Sequence, residues 1–241
     1  MIEMKHLDIK FDNQIIFKNA NFKTCPGKIT GIIGKSGCGK TTFLKALIYQ
    51  YSNQTLSIDK QIITEKNKED YLLKCVSYID QFGTFFENMK IREHFEFISQ
   101  LKNQGFDQYK MLEMLHLVGL DNIDLSYFPS SLSIGQRKRF LIALAMYKDA
   151  SIIIIDEPTA SLDQENKEII LNLLQKLKKD NKYIIITTHD DFLIEHLDIV
   201  YEIENKQLYC HQEIKEVQKN LKIENTKHQR IKKYFFYKNQ R

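Results

Sequence analysis

The stretch Ile29-Thr30-Gly31-Ile32-Ile33-Gly34-Lys35-Ser36-Gly37-Cys38-Gly39-Lys40-Thr41-Thr42 decides how this chain is read. The apolar run from Ile29 to Ile33 predicts a buried strand, the glycine-rich segment from Gly34 a tight loop, and Thr42 to Tyr49 a helix. In that order the three build a phosphate cradle. Glycines let successive backbone N–H groups turn inward, and the new helix adds the positive end of its dipole. Lys40 supplies a mobile cation and Thr41 a hydroxyl for Mg²⁺. Each feature answers the charge of a nucleoside triphosphate, so binding of such a nucleotide with Mg²⁺ is the expectation.

Working outward, residues 1–33 carry short alternating stretches broken at Asp12-Asn13-Gln14 and Pro26-Gly27, which predict an antiparallel β layer ahead of the loop strand. Gln61–Thr64 and Cys75–Ile79 read as two more strands, separated by the polar Glu65–Asp70. From 85 to 127 the pattern becomes helical, with apolar residues at Phe95, Ile98 and Leu101, then at Met111, Leu112, Met114, Leu115 and Val118, so we expect a helical insert over 84–130. A helix over Ser133–Lys148, a strand over Ser151–Ile155, a helix over Gln164–Lys179 and a strand over Tyr183–Thr187 restore an α/β alternation. Four consecutive isoleucines, Ile152 to Ile155, suit a parallel strand buried on both faces. The expected fold is α/β: a P-loop core with a mostly parallel sheet flanked by helices, an N-terminal antiparallel β subdomain and the inserted helical subdomain. Residues 1–205 form the expected domain and 206–241 a basic C-terminal tail.

The 241 residues, 43% of them apolar, suffice for a buried core. A net charge of +4 is too modest to imply nucleic-acid binding unless it is concentrated. It is concentrated in the tail: residues 205–241 hold ten Lys or Arg against three Glu, which leaves residues 1–204 at −3. Cys25, Cys38, Cys75 and Cys210 form no close pair, which fits unpaired small hydrophobes in a reducing interior. A thiol within a phosphate loop feels positive potential, so Cys38 is expected to be unusually oxidisable. The start, Met1 to Asp8, alternates like a strand rather than a secretion signal, and the longest apolar runs fall short of the ~18 residues that span a bilayer.

Asp156 and Glu157 follow the isoleucine strand, where ligand sites form in open α/β sheets. Asp156 can hold Mg²⁺, and Glu157 can polarise a water aimed at the γ-phosphate. Acidic residues after a strand are common, and a single histidine is more often structural than functional. His189, however, follows another strand end, Ile184 to Thr188, and so points toward the same crevice. Ser133 to Gln136 open a helix, and a serine with backbone N–H groups there makes an anion site without a nucleotide of its own.

Together the phosphate loop, Leu132-Ser133-Ile134-Gly135-Gln136-Arg137, Asp156-Glu157-Pro158-Thr159-Ala160-Ser161-Leu162-Asp163 and Thr187-Thr188-His189-Asp190 resemble the ATP-binding cassette ATPases, in order and in spacing. The resemblance covers residues 1–205 and includes Tyr78-Ile79-Asp80-Gln81, whose glutamine is similar to that family's lever between core and helical lobe. It implies that Phe11 stacks on adenine, although an aromatic at a strand position is usually core. It implies further that Gly34 to Thr42 hold the phosphates, and that Thr41, Gln81 and Asp156 contact Mg²⁺. Glu157 would be the catalytic base and His189 would contact the γ-phosphate. Ser133, Gly135 and Gln136 would clamp the γ-phosphate held by a second cassette, and Asp163 would approach that opposing subunit. Two facing copies, identical or different, would sandwich two ATP molecules.

Ile134 departs from the pattern, since the family usually has glycine there. Either the backbone is ordinary at this position, or a strained β-branched residue weakens the clamp. With no membrane span, long coiled-coil insertion or second cassette in the chain, the resemblance favours a transporter ATPase subunit. It would dock on a separate multi-span permease at the cytoplasmic face of the membrane. A soluble ATPase acting on nucleic acid or the ribosome is the alternative. The run Asp156 to Asp163 is similar to the cassettes of bacterial peptide, antibiotic and lipoprotein exporters. Thr84 to Glu93, with Phe85, Phe86 and Glu87, would receive the permease, its bland reading being a solvated loop with buried aromatics. The tail, where Arg230, Lys232, Lys233, Lys238 and Arg241 interleave with Tyr234, Phe235, Phe236 and Tyr237, either rests on anionic lipid or is a solvated segment.

Overall fold

Alternation at the N-terminus produces a long antiparallel hairpin. In β1 (Ile2–Phe11) the residues Ile2, Met4, Leu7 and Ile9 face inward, and in β2 (Gln14–Thr24) Phe17, Ala20 and Phe22 do the same. The period slips where the register shifts between Met4 and Leu7, and His6 and Asn19 near these slips adopt positive φ of 53° and 50°, as bulges require. The structure, a computed structural model, describes residues 1–12, 14–51 and 55–211. The tail residues 212–241, including the interleaved basic and aromatic stretch, lie outside the described residues.

After β3 (Lys28–Ile33) the chain turns through the glycine loop into α1 (Lys40–Leu47). Two short strands, β4 (Thr55–Ile58) and β5 (Gln61–Ile63), then join the hairpin in a four-stranded antiparallel sheet of order β2-β1-β4-β5. Part of the polar segment before residue 75 is helical: α2 (Lys68–Cys75) buries only Tyr71, too little apolar surface to leave a period in the sequence. It leads into β6 (Val76–Ile79). The insert contains α3 (Ile91–Leu101) and α4 (Gln108–Leu117), followed by a single 3₁₀ turn at Pro129–Ser131.

The remaining elements are α5 (Ile134–Lys148), β7 (Ile152–Asp156), α6 (Gln164–Lys179), β8 (Tyr183–Thr187), the single turn α7 (Asp191–Ile194), β9 (Ile199–Glu204) and β10 (Gln207–Cys210). The second sheet has order β10-β9-β3-β8-β7-β6, parallel throughout except for the terminal β9–β10 hairpin. That hairpin carries the folded unit to Cys210, past the boundary expected at 205. β7 and β8 are buried at every residue, as strands covered on both faces must be. One apolar cluster joins the two sheets through Phe17, Phe22, Phe43, Leu44, Ile154 and Ile185. The C-terminal ends of β3, β7 and β8 therefore open on one side of this core, beside the glycine loop. Among the described residues no helix is long and apolar enough to cross a membrane.

Candidate nucleotide site

The loop after β3 holds the conformation its glycines allow. Gly39 has φ +110°, and a Cβ there would lie 2.9 Å from Ile16 Cγ2, so only glycine fits. Gly39 also caps α1 without a side chain, and no acidic residue occupies the first turn. This leaves the helix N-terminus facing outward with its partial positive charge, as an anion site needs. Lys40 folds back, its Nζ donating to the carbonyls of Gly34 at 3.0 Å and Lys35 at 3.4 Å.

A cleft of about 570 Å³ is lined by Gly34, Lys35, Ser36, Gly37 and Gly39 to Thr42, together with Gln81, Asp156, Glu157 and His189. Segments separated by more than a hundred residues meet because parallel strands deliver their C-terminal ends to one edge. Thr41 Oγ1 donates to Asp156 Oδ2 at 2.6 Å, and Thr187 Oγ1 donates to Asp156 Oδ1. Glu157, 6% exposed, has its Oε1 at 2.9 Å from His189 Nδ1 and 3.9 Å from Lys40 Nζ. Its backbone is left-handed, φ +50°, and its N–H donates to Thr187 Oγ1 at 2.9 Å. Among the described residues no group of three or more His, Cys, Asp or Glu is arranged to hold a metal ion. The oxygens of Thr41 and Asp156 fit a hard cation such as Mg²⁺, which keeps waters and takes few protein ligands.

The remaining expected site residues stand outside this cleft. Cys38 packs with the apolar cluster. Burial pushes its thiol up, outweighing the pull of the Lys40 ammonium, so the expectation of an unusually oxidisable thiol is corrected by simple desolvation. Phe11, 45% exposed at the end of β1, meets Tyr51 edge-on with ring centroids 5.8 Å apart. Ser133 caps α5: its side chain accepts from Gln136 N–H at 3.2 Å, while Gln136 Oε1 accepts from Ser133 N–H at 2.9 Å. Ile134 is the first residue of that helix, with no positive φ and a half-exposed side chain, so the backbone there is ordinary. Gly135 is buried, and a Cβ on it would lie 2.7 Å from Asn166 Oδ1. Asp163 is exposed at the start of α6, accepting from Asn166 N–H at 2.8 Å and from Asn166 Nδ2.

Two residues of the site escaped sequence reasoning. Thr187 ties β8 to both carboxylate residues, a role that a threonine at a strand end does not announce. Lys138 is 5% exposed and donates to the carbonyls of Glu157 and Ala160. It lies on the buried stripe Gly135, Lys138, Ile142 and Ala145 of α5, and a cation at helical spacing among apolar residues is the signal that could have revealed it.

A phosphate loop at the C-terminal edge of a mostly parallel sheet, facing two carboxylates from the strand next but one, defines a P-loop nucleoside triphosphatase. The family model described as ABC transporter matches residues 17–160, and the chain belongs to the ABC transporter family as an ATP-binding, ATP-hydrolysing subunit. It is 34% identical over 205 residues to the lipoprotein-releasing system ATP-binding protein LolD of Buchnera aphidicola subsp. Acyrthosiphon pisum, covering 80% of this chain and 88% of that protein. It is 32% identical to the ABC transporter ATP-binding protein YtrE of Bacillus subtilis, over 79% of this chain and 89% of the relative. Its fold superposes on the dimeric structure of MJ0796, a bacterial ABC transporter cassette, with a TM-score of 0.77 at 25% identity, covering 86% of this chain and 96% of that one.

Proposed function

We propose that this chain closes with a second cassette around two Mg·ATP and drives a substrate through a separate multi-span membrane permease, lying on the inner face of the membrane. The observation that carries this reading is the division of the site. The phosphate loop, Gln81, Asp156, Glu157 and His189 share one cleft, whereas the capped N-terminus of α5, with Ser133, Gly135 and Gln136, stands apart from it. A helix N-terminus outside its own chain's cleft is free to meet an anion held elsewhere.

In this reading Phe11 stacks on adenine and the N–H groups of Gly34 to Thr42 bind the phosphates. Lys40, now held by two loop carbonyls, turns to them as its anionic partner arrives. Thr41, Asp156 and Gln81 would hold Mg²⁺, which would supply neutralisation of the phosphate charge. Glu157 takes the proton of the attacking water, and His189, which contacts the γ-phosphate, orients the Glu157 carboxylate through the bond at 2.9 Å. Ser133, Gly135 and Gln136 clamp the partner's γ-phosphate, and Asp163 faces the opposing subunit. The relatives' printed names span lipoprotein release, methionine import and cell division, so the cargo belongs to the permease.

Glu157→Gln tests the site. Because a positioned general base contributes about 10²–10⁴-fold, turnover should fall by that factor while ATP binding persists and a closed dimer accumulates. Near-normal turnover removes Glu157 from this role. Purification from membranes tests the partner: a multi-span protein recovered with the chain supports the transporter, and recovery with ribosomes or nucleic acid instead overturns it.

A further inference from the structure

The turn that carries Glu157 is held from behind. Its carbonyl accepts from Ala160 N–H at 3.2 Å, closing residues 157–160 into a tight turn. Two residues near this turn, Glu157 at φ +50° and Ser161 at φ +62°, are left-handed, a conformation disfavoured for any residue with a Cβ unless its surroundings impose it. The peptide before Glu157 is anchored by Thr187 Oγ1. The peptide after it is anchored by Lys138, whose Nζ donates to the carbonyl of Glu157 at 2.8 Å and to that of Ala160 at 3.0 Å.

We propose that Lys138 is a positioning residue for Glu157: its ammonium bridges both ends of the turn and keeps the carboxylate aimed into the nucleotide cleft. The proposal rests on the reading of Glu157 as general base. An ammonium suits the task because it has donors and no acceptor, and charge-assisted bonds to carbonyls are stronger than neutral ones. Its long stem crosses from the buried stripe of α5 to the end of β7. Burial pushes this lysine down to about 8, against the pull of the Glu157 and Asp156 carboxylates, so it is mostly charged at neutral pH. The flanking cations of the same helix turn go elsewhere. Arg137 donates to the carbonyls of Leu132 and Ser130 and lies over the Phe85 ring, and Arg139 donates to those of Val118 and Gly119. Of the three, Lys138 reaches the turn of Glu157.

The test compares Lys138→Met, which keeps length and removes the donors, with Lys138→Arg, which restores them. ATP hydrolysis across ATP concentrations, binding of a fluorescent ATP analogue and thermal melting are measured together. Misplacing a reacting group by about 1 Å costs about 10²-fold. Lys138→Met should therefore lose about 10- to 100-fold in kcat, with KM and analogue affinity within about threefold of wild type, and Lys138→Arg should recover much of that loss. A lysine with a purely structural role would instead lower the binding-competent fraction and kcat in parallel. The double variant Lys138→Met with Glu157→Gln should be no slower than Glu157→Gln alone, since the lysine acts through that carboxylate. If Lys138→Met does not fold, Lys138→Gln is judged by the same criteria. A kcat within about twofold of wild type, or additive losses in the double variant, overturns the clamp. If Glu157→Gln itself turns over normally, the general-base reading has failed; if Glu157→Gln is inactive while Lys138→Met behaves as wild type, the clamp alone has failed.

Discussion

At the scale of single residues, the site is held ready by side chains that hydrogen-bond one another. Thr41 and Thr187 each donate to a different oxygen of Asp156, and His189 meets Glu157. Lys40 is parked on two carbonyls of its own loop, so its charge is partly satisfied by dipoles that phosphate oxygens outcompete. Ile134 is the residue whose meaning the structure changed. Its place as first residue of α5, without positive φ, removes strain from the choice left open by sequence. Ile134→Gly should therefore not raise turnover. It should cost at most about 1 kcal/mol of helix stability, with kcat within about twofold of wild type. A several-fold rise in steady-state ATP hydrolysis would show that the side chain itself obstructs the clamp.

At the scale of elements, α5 links the parts. Its start reaches the turn of Glu157 through Lys138, and its last residue, Lys148, donates to the carbonyls of Leu72 in α2 and Val76 in β6. Burial pushes Lys148 down to about 8, with the nearby Lys102 adding to the effect and Cys75 opposing it. A lysine whose folded pKa lies below its ordinary value binds fewer protons folded than unfolded across pH 8 to 10.5, so its contribution to stability rises with pH through that window. Lys138 has the same sign. Urea midpoints of wild type and Lys148→Met should diverge accordingly, the wild type gaining on the variant as pH goes from 8 to 10. A constant difference would refute the linkage.

At the scale of the whole molecule, the α5 and α6 N-termini are not among the residues that line the cleft, and in the proposed sandwich they complete the partner's site. Specific ATPase activity should therefore rise with protein concentration at fixed enzyme amount, and Glu157→Gln with Mg·ATP should elute as a dimer. Full turnover by a strict monomer, independent of concentration, would sink the sandwich. Much of this architecture was legible in sequence, because the elements concerned carry strong periods. β7 and β8 are continuous apolar runs, and α6 matches its expected bounds, Gln164–Lys179. The elements that were not legible are short or polar: α2 buries one residue, α7 is a single turn, and the edge strand β10 leaves most of its residues exposed. Such segments are formed by what they pack against, and their own pattern is too weak to announce them.

By itself the amino-acid sequence determined the chemistry on offer: a glycine loop ahead of Lys40 and Thr41, carboxylates at a strand end, and a histidine at the next. These are local facts, set by residue type and by neighbours a few positions away. Tertiary structure alone decided which of them meet. Parallel pairing of β3, β7 and β8 places Lys40, Asp156, Glu157 and His189 around one cleft. Packing left Cys38 half-buried against the apolar cluster, and the placement of α5 gave Lys138 its two carbonyls. Contacts of that kind depend on sheet order and helix placement, which are cooperative properties of the packed chain and are written in no single segment of it.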